Sequence, residues 1–262
     1  MNRNIFNRSG FSLIGFCRNK ELRKVLATWC AFATLATTCA PAFAETTYSA
    51  FEDSVLNKVS GNISATGFDG SLGVVSDDIT IDIGLNTGTS TDVGVHDWGK
   101  LVIPGGKEMN FGVDKYSVAG GTFYNIVSGG DAATTIEGAL NGANSANVYI
   151  FNPNGVLIGN GAVVNVAGLF GAIAAGVNNT DAMVADPTKA IEVGNTVGSI
   201  TIEGGKILND ALLLGKTVKI DGTIDTDNLQ FGGDVVIGAG NLIQIDSISG
   251  GTVSFDPGSS TA

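Results

Sequence analysis

Pairs of apolar residues with one residue between them recur at a nearly constant interval. Ile200/Ile202, Val218/Ile220, Val235/Ile237 and Val253/Phe255 follow one another at steps of 18, 17 and 18. Stepping back by 18 reaches Ala182/Val184 and then Val164/Val166. A second apolar site follows three of the pairs by six or seven positions, at Ile207, Ile224 and Leu242, and glycines punctuate the intervals. Residues two apart on a strand face the same side. An interval of this length supplies two or three short strands with their turns. If equivalent strands stack in parallel about 4.8 Å apart, the inward residues form a continuous aliphatic column. Each coil then pairs its backbone with the coils on either side. The spacing therefore predicts an all-β fold, a parallel β-solenoid. The alternative is an antiparallel sandwich, which also shows short strands at regular spacing. Val148/Ile150, Val156/Ile158 and Val164/Val166 are eight apart, with five-residue connectors that suit hairpins. The sustained 17–18 spacing favours the solenoid.

The first 44 residues read as a targeting segment. Arg3, Arg8, Arg18, Lys20, Arg23 and Lys24 precede an apolar run over residues 25–39. Ala42-Phe43-Ala44 then fits the small-x-small cleavage rule, so a signal peptide with an extended basic region is expected to be cut between Ala44 and Glu45. The apolar run is shorter than the ~20 residues a membrane-spanning helix needs, and Ala36-Thr37-Thr38 is a poor lipidation signal for Cys39. All three cysteines and all four arginines lie in this leader. The mature chain would have no disulfide and no cysteine-bound metal. Its eight lysines face 24 Asp and Glu, which gives residues 45–262 a net charge of −16. That charge argues against nucleic acid and against anionic membrane surfaces, which need basic patches. Residues 45–145 carry strand signals ("DDITIDIG", "KLVIPGG", "GTFYNIV") without the period, and read as an irregular N-terminal cap and early coils. Residues 146–262 read as regular stacked coils, each of about 18 residues, without a second domain.

Catalytic machinery is sparse. The one histidine, His96, stands beside Asp97 in "VGVHDWGK" and reads as a surface or turn residue. There is no nucleophile elbow, phosphate loop or zinc-binding histidine pair. No cofactor or metal is expected. Polysaccharide-cleaving solenoids are the rival class, and hydrolysis there needs paired carboxylates on one face. Asp221, Asp225 and Asp227 form one cluster, and Asp77, Asp78 and Asp82 another. Neither recurs at the same phase on a neighbouring repeat, so solvated turn carboxylates are expected. An autotransporter passenger would need a C-terminal barrel of ~10-residue alternating segments, which the sequence does not show.

The densest stretch runs from Trp98 to Ala175: "DWGKLVIPGGKEMNF", then "FYNIVSGG", then "IEGALNGANSANVYIFNPNGVLIGNGAVVNVAGLFGA". It resembles the N-terminal secretion domain of the filamentous haemagglutinin type, the haemagglutination activity domain of two-partner secretion exoproteins. The matching positions are Trp98, Gly105, Met109, Phe111, Ile136, Gly138, Leu140, Asn144, Val148, Tyr149, Asn152, Pro153, Asn154, Gly155, Gly159, Ala162, Val164, Asn165, Val166, Gly168 and Leu169. Phe151 and Ala167 depart mildly from the family pattern. The resemblance implies a right-handed parallel β-helix of the single-stranded, pectin-lyase-like kind. It also implies a non-catalytic, adhesin-like exoprotein, secreted or held at the bacterial cell surface. The implied partner is a dedicated outer-membrane β-barrel transporter, which recognises the chain through its periplasmic modules. Outside the cell the domain would nucleate folding of the coils that follow. Any host-cell or surface receptor would be met by a downstream region, since such exoproteins normally continue for many hundreds of residues.

Asn152-Pro153-Asn154-Gly155 is turn chemistry between two strand-like runs. Asn152 can bond the backbone two residues on, Pro153 presets its φ, Asn154 tolerates unusual φ, and Gly155 gives a permissive exit. The turn, together with Trp98, Asn165 and Gly168, is the expected secretion and folding motif. It is read first as a rigid corner and second as a docking site.

Overall fold

In a computed structural model the described residues are 48–49, 54–60, 63–66, 80–85, 93–112, 121–226, 233–240, 244–249 and 252–256. The expected cleavage site at Ala44 and Glu45, and Asp77, Asp78, Asp227 and Leu242, lie outside them. By its contacts the chain divides into Met1–Ala44 and Glu45–Ala262, and the architecture below belongs to the second unit.

The protein is almost entirely β, built on one curled sheet of 16 strands. The strands fall into three rows, and within each row they pair in parallel. The first row holds Val93–Lys100, Thr122–Val127, Asn147–Phe151, residues 169–173, residues 210–215 and Val235–Ala239. The second holds Val102–Ile103, Thr134–Ile136, Val156–Ile158, residues 199–203 and residues 217–221. The third holds Thr80–Leu85, Glu108–Phe111, Ala139–Gly142, residues 163–166, residues 206–208 and residues 223–225. The chain visits the rows in turn, so Val163–Ile173 and Ser199–Gly215 are long strands that bend around corners. Antiparallel partners cap the N-terminal end: Val55–Val59 lies against Val93–Lys100, and Ile63–Thr66 against Thr80–Leu85.

This layout explains the eight-residue spacing. Val148/Ile150, Val156/Ile158 and Val164/Val166 belong to rows one, two and three, so eight residues is one step around the coil. The connectors are corners, not hairpins.

The 18-residue repeat needs correcting. It holds for one step, Ile200 to Val218 and Ile202 to Ile220. Val235 pairs with Ala211 in row one, not with Val218 in row two. Ala182 and Val184 lie on the short helix Thr180–Ala185. Val253 and Phe255 sit in Thr252–Asp256, which runs antiparallel to Gln244–Ser249. Going back from Ile202 in row two, the true partners are Ile158, at an offset of 44, and then Ile136, at an offset of 22. Corner loops differ in length and residues 175–197 leave the rows, so the column is regular in space while the residue count per coil varies.

Two apolar layers result. Inside the column, row two presents Ile103, Ile136, Ile158 and Ile202, each fully buried and each in register with the next. Met109, Leu140, Val164 and Ile207 do the same in row three. Row one is apolar on its outer side as well. Val95, Tyr124, Tyr149, Phe151, Ile173, Leu212 and Leu214 form a second cluster with Met183 of the short helix. Tyr149 and Tyr124 rings lie 5.5 Å apart there. Gly171, in register with Tyr149, leaves room for that ring, since a Cβ would overlap it.

His96 also departs from expectation. It is completely buried inside the column, with Trp98 stacked at 5.9 Å and Phe111 edge-on at 6.0 Å.

The isoleucine ladder gives a direct comparison. Ile202 is 0% exposed and its register partner Ile220 is 41% exposed. Ile202→Ala is expected to cost about 2–5 kcal/mol in urea unfolding, and Ile220→Ala less than half as much, because a site open to water leaves no cavity.

Candidate functional site

Residues 152–155 form the corner between Asn147–Phe151 in row one and Val156–Ile158 in row two. Asn152 is fully buried and uses every polar atom of its side chain. Its Oδ1 accepts from the backbone N–H of Asn154 at 2.9 Å, the bond two residues on that an Asx turn requires. Its Nδ2 donates to the carbonyl of Ala132 and to Oγ1 of Thr134, both at 3.1 Å. Its backbone N–H donates to the carbonyl of Ile173 at 3.0 Å, and its own carbonyl accepts from Gly155 N–H at 2.9 Å. The corner is thereby tied to the coil before it and the coil after it.

Gly155, not Asn154, takes the unusual backbone, with φ of 107°. A side chain at Gly155 would strike the carbonyl of Ser199 on the next coil. Gly198 meets the corner from the other side, where a Cβ would stand 2.6 Å from Gly155 N. Asn154 is exposed and donates through Nδ2 to the carbonyl of Gly130 at 3.0 Å. Pro153 is half-buried. Only these two present any surface that a partner could touch.

The other motif residues lie elsewhere on the coil. Trp98 is buried in the column, and its Nε1 donates to Oδ1 of Asn125 at 3.1 Å. Asn125 in turn donates to the carbonyl of Tyr149 at 3.2 Å. Gly168 sits at the corner from row three to row one, where a Cβ would clash with the carbonyls of Ala146 and Ser145. Asn165 is exposed on row three and belongs to a ladder. It stands in register with Asn141, Asn141 donates to Asn110 at 2.8 Å, and Asn110 donates to Asp82 at 2.8 Å. Asn209, buried with φ of 84°, donates to Asn165 Oδ1 at 3.2 Å and to the carbonyl of Val166 at 3.0 Å. The structure thus spreads Trp98, Asn165, Gly168 and the 152–155 corner over the column interior, an outer face and two corners. It does not gather them into one patch.

Sequence reading missed Asn110, Asn125, Asn141 and Asn209. The first and third carry a usable signal, a single polar residue between apolar ones in "EMNF" and "ALNG". Asn125 has none, because "FYNIV" reads as an apolar strand with a polar slip.

The acid–base groups do not converge. Burial lowers the His96 pKa to about 3, so the ring is neutral. Among the described residues neither ring nitrogen has a hydrogen-bond partner. Asp97 faces the other side of the strand and accepts from the Ser128 hydroxyl, and burial raises its pKa. Asp221 does have a carboxylate neighbour, Glu203, in register on the adjacent coil, contrary to the sequence expectation. Both are exposed on an open face. Asp225 pairs with Leu208. No group of three or more His, Cys, Asp or Glu able to hold a metal occurs among the described residues.

The family model for the TPS secretion domain matches residues 69–261. The chain is also similar to a heme/hemopexin-binding protein of Haemophilus influenzae (strain Rd), 32% identical over 165 residues. That alignment covers 62% of this chain and 16% of the relative.

The corner's geometry separates its two asparagines. Asn152→Ala, which orphans the buried Thr134 hydroxyl on the preceding coil and removes the Asx bond, is expected to lower stability by about 1–3 kcal/mol in urea unfolding, and Asn154→Ala by less than about 1 kcal/mol.

Proposed function

Because this chain belongs to the TPS secretion domain family, we propose that residues 45–262 form a right-handed parallel β-helix that directs export and seeds further folding. In this reading the domain passes through a dedicated outer-membrane β-barrel transporter, is recognised by its periplasmic modules, and ends outside the cell or on its surface. The mature chain starts at Glu45, after removal of the leader at Ala44.

The observation that supports the seeding role is the exposure of the last inward residues of the column among the described residues. The last strands of rows one and two leave inward residues partly uncovered: Val235 and Ile237 are 39% and 48% exposed, and Ile220 is 41% exposed. Partly exposed aliphatic residues on strand edges offer a further coil both an apolar floor and unpaired backbone groups. Chain emerging after this domain would gain burial and ladder bonds at once.

The export role draws on the corner. In an extended chain Asn152, Pro153, Asn154 and Gly155 are accessible and can be read by strand addition to a partner. Once the coil closes, Asn152 is sealed. Folding outside the membrane removes the segment from its transporter and makes return unfavourable. The domain itself is read as non-catalytic, since the sole histidine is enclosed by aromatic rings and the Asp221/Glu203 pair lies on an open face. The related protein is named for heme/hemopexin binding. Because this chain spans about a sixth of that relative, capture of cargo, receptor or surface is assigned to the remainder of such exoproteins.

Two assays test this reading. Secretion into the medium should require a co-expressed cognate transporter, and the secreted product should begin at Glu45. Equal secretion without the transporter would contradict it. Asn152→Ala and Gly155→Val should lower secretion and slow refolding of the purified domain together. Lost secretion with unchanged refolding would make the corner a docking motif instead. Robust release of reducing sugar from polysaccharide by the purified chain would favour the solenoid lyase or hydrolase class.

A further inference from the structure

We propose that residues 175–197 are a clasp that closes as a separate unit over an already formed column. Beyond the export reading above, and independent of it, the inference rests on how this segment is attached.

The ends of the segment meet at one point. The N–H groups of Val197 and Gly198 both donate to the carbonyl of Ala174, at 2.9 and 3.2 Å. The column is continuous on either side of this joint: Ala172 pairs with Leu213, and Ile158 with Ile202. The offsets there are 41 and 44, against 22 from Val148 to Phe170 and from Ile136 to Ile158. Opening the segment therefore breaks no register of the three rows.

Within itself the segment is complete. Ala175–Val177 pairs antiparallel with Val193–Thr196, and Thr180–Ala185 forms the one described helix. Asn179 bridges the two arms, donating to the carbonyl of Ala190 at 2.8 Å and accepting from Glu192 N–H at 3.0 Å. Its grip on the column is apolar in the middle and weak at the far end. Met183 and Ala175 are buried against Tyr124, Tyr149 and Phe151 in a cluster distinct from the column core. At the far end there is an exposed ion pair, Lys58 to Asp181 at 3.0 Å, which contributes little to stability. Beside it lies a cavity of about 750 Å³ lined by Asn57, Asp97, Ser128, Asn178 and Thr180 among others. The Tyr149 hydroxyl is buried at this layer without a hydrogen-bond partner among the described residues. Such a group is costly while covered and is relieved when water reaches it. Near its closing end Thr196 Oγ1 also donates to the carbonyl of Gly240 at 3.1 Å. An element held by one apolar patch and one such bond, with a polar seam and pinned ends, belongs to the low-stability end of a protein's local openings.

Chain order adds a consequence. The rows covered by the clasp are complete up to Ile173 before the clasp sequence begins. Until it closes, Tyr124, Tyr149 and Phe151 form an exposed aromatic strip.

Native-state hydrogen exchange on the whole chain, followed by mass spectrometry over increasing sub-denaturing urea, tests this. Amides of 175–196 should exchange through an opening that leaves 147–151 and 206–214 at least about tenfold more protected. Met183→Ala should speed exchange of 175–196 by about tenfold or more while the column amides hold their rates. If that variant fails to fold, Asp181→Ala, which removes only the exposed ion pair, should raise clasp exchange alone by about two- to fivefold. One common exchange rate for clasp and column at all urea concentrations, or equal acceleration of both by either variant, would overturn the proposal.

Discussion

Ile103, Ile136, Ile158, Ile202 and Ile220 stand in one line up the second row, each in register with the next. Keeping that line straight is the constraint on which the rest of the structure depends. A parallel ladder satisfies backbone groups only if every coil returns to the same phase, and a slip of one residue would turn each inward side chain outward. The corners are therefore where sequence is least free. Asn152 sets one corner from inside, by bonds to both neighbouring coils. Gly155, Gly168 and Gly198 occupy places where the next turn of backbone leaves no space for a Cβ. A corner can nevertheless be replaced by a longer excursion, and residues 175–197, at the step from row one to row two, make one without disturbing the rows.

The same constraint explains what could be read from sequence. Alternation made the strands legible, and the idea of stacked coils followed from apolar pairs that recur. The register did not follow. A count of residues per repeat fails when loops vary, and the 18-residue step landed on Ala182 and Val184 because the helix happens to carry apolar residues there. Asn152 was legible as a turn residue, since its bond to Asn154 is local. Its bonds to Ala132 and Thr134 were not, since they depend on coil length. His96 was misread for a different reason. Strict alternation through "VGVHDWGK" puts His96 on the side of Trp98, hence inside. The outer side of that strand is also covered, by the clasp, so the pattern lost the polar face that would have revealed its orientation.

All three cysteines lie in residues 1–44, so residues 45–262 can form no disulfide. Stability there accrues coil by coil through burial and ladder bonds. Inward isoleucine, valine and leucine supply the gain per coil, while the asparagine ladder from Asn110 to Asn165 fixes phase on the outer face. Ile220, Val235 and Ile237 are the last inward residues of rows one and two among the described residues, and each is partly exposed.

The central claim is the parallel register, and one distance tests it directly. Val102, Thr135, Leu157, Thr201 and Lys219 are successive outward partners in row two. Four strand spacings of about 4.8 Å put residues 102 and 219 roughly 19 Å apart. Spin labels on Val102→Cys and Lys219→Cys, in the chain freed of residues 1–44, should give a single electron–electron distance of about 20 Å by pulsed resonance. A distribution centred beyond about 30 Å, or one as broad as an unstacked chain would give, would contradict the stacked rows.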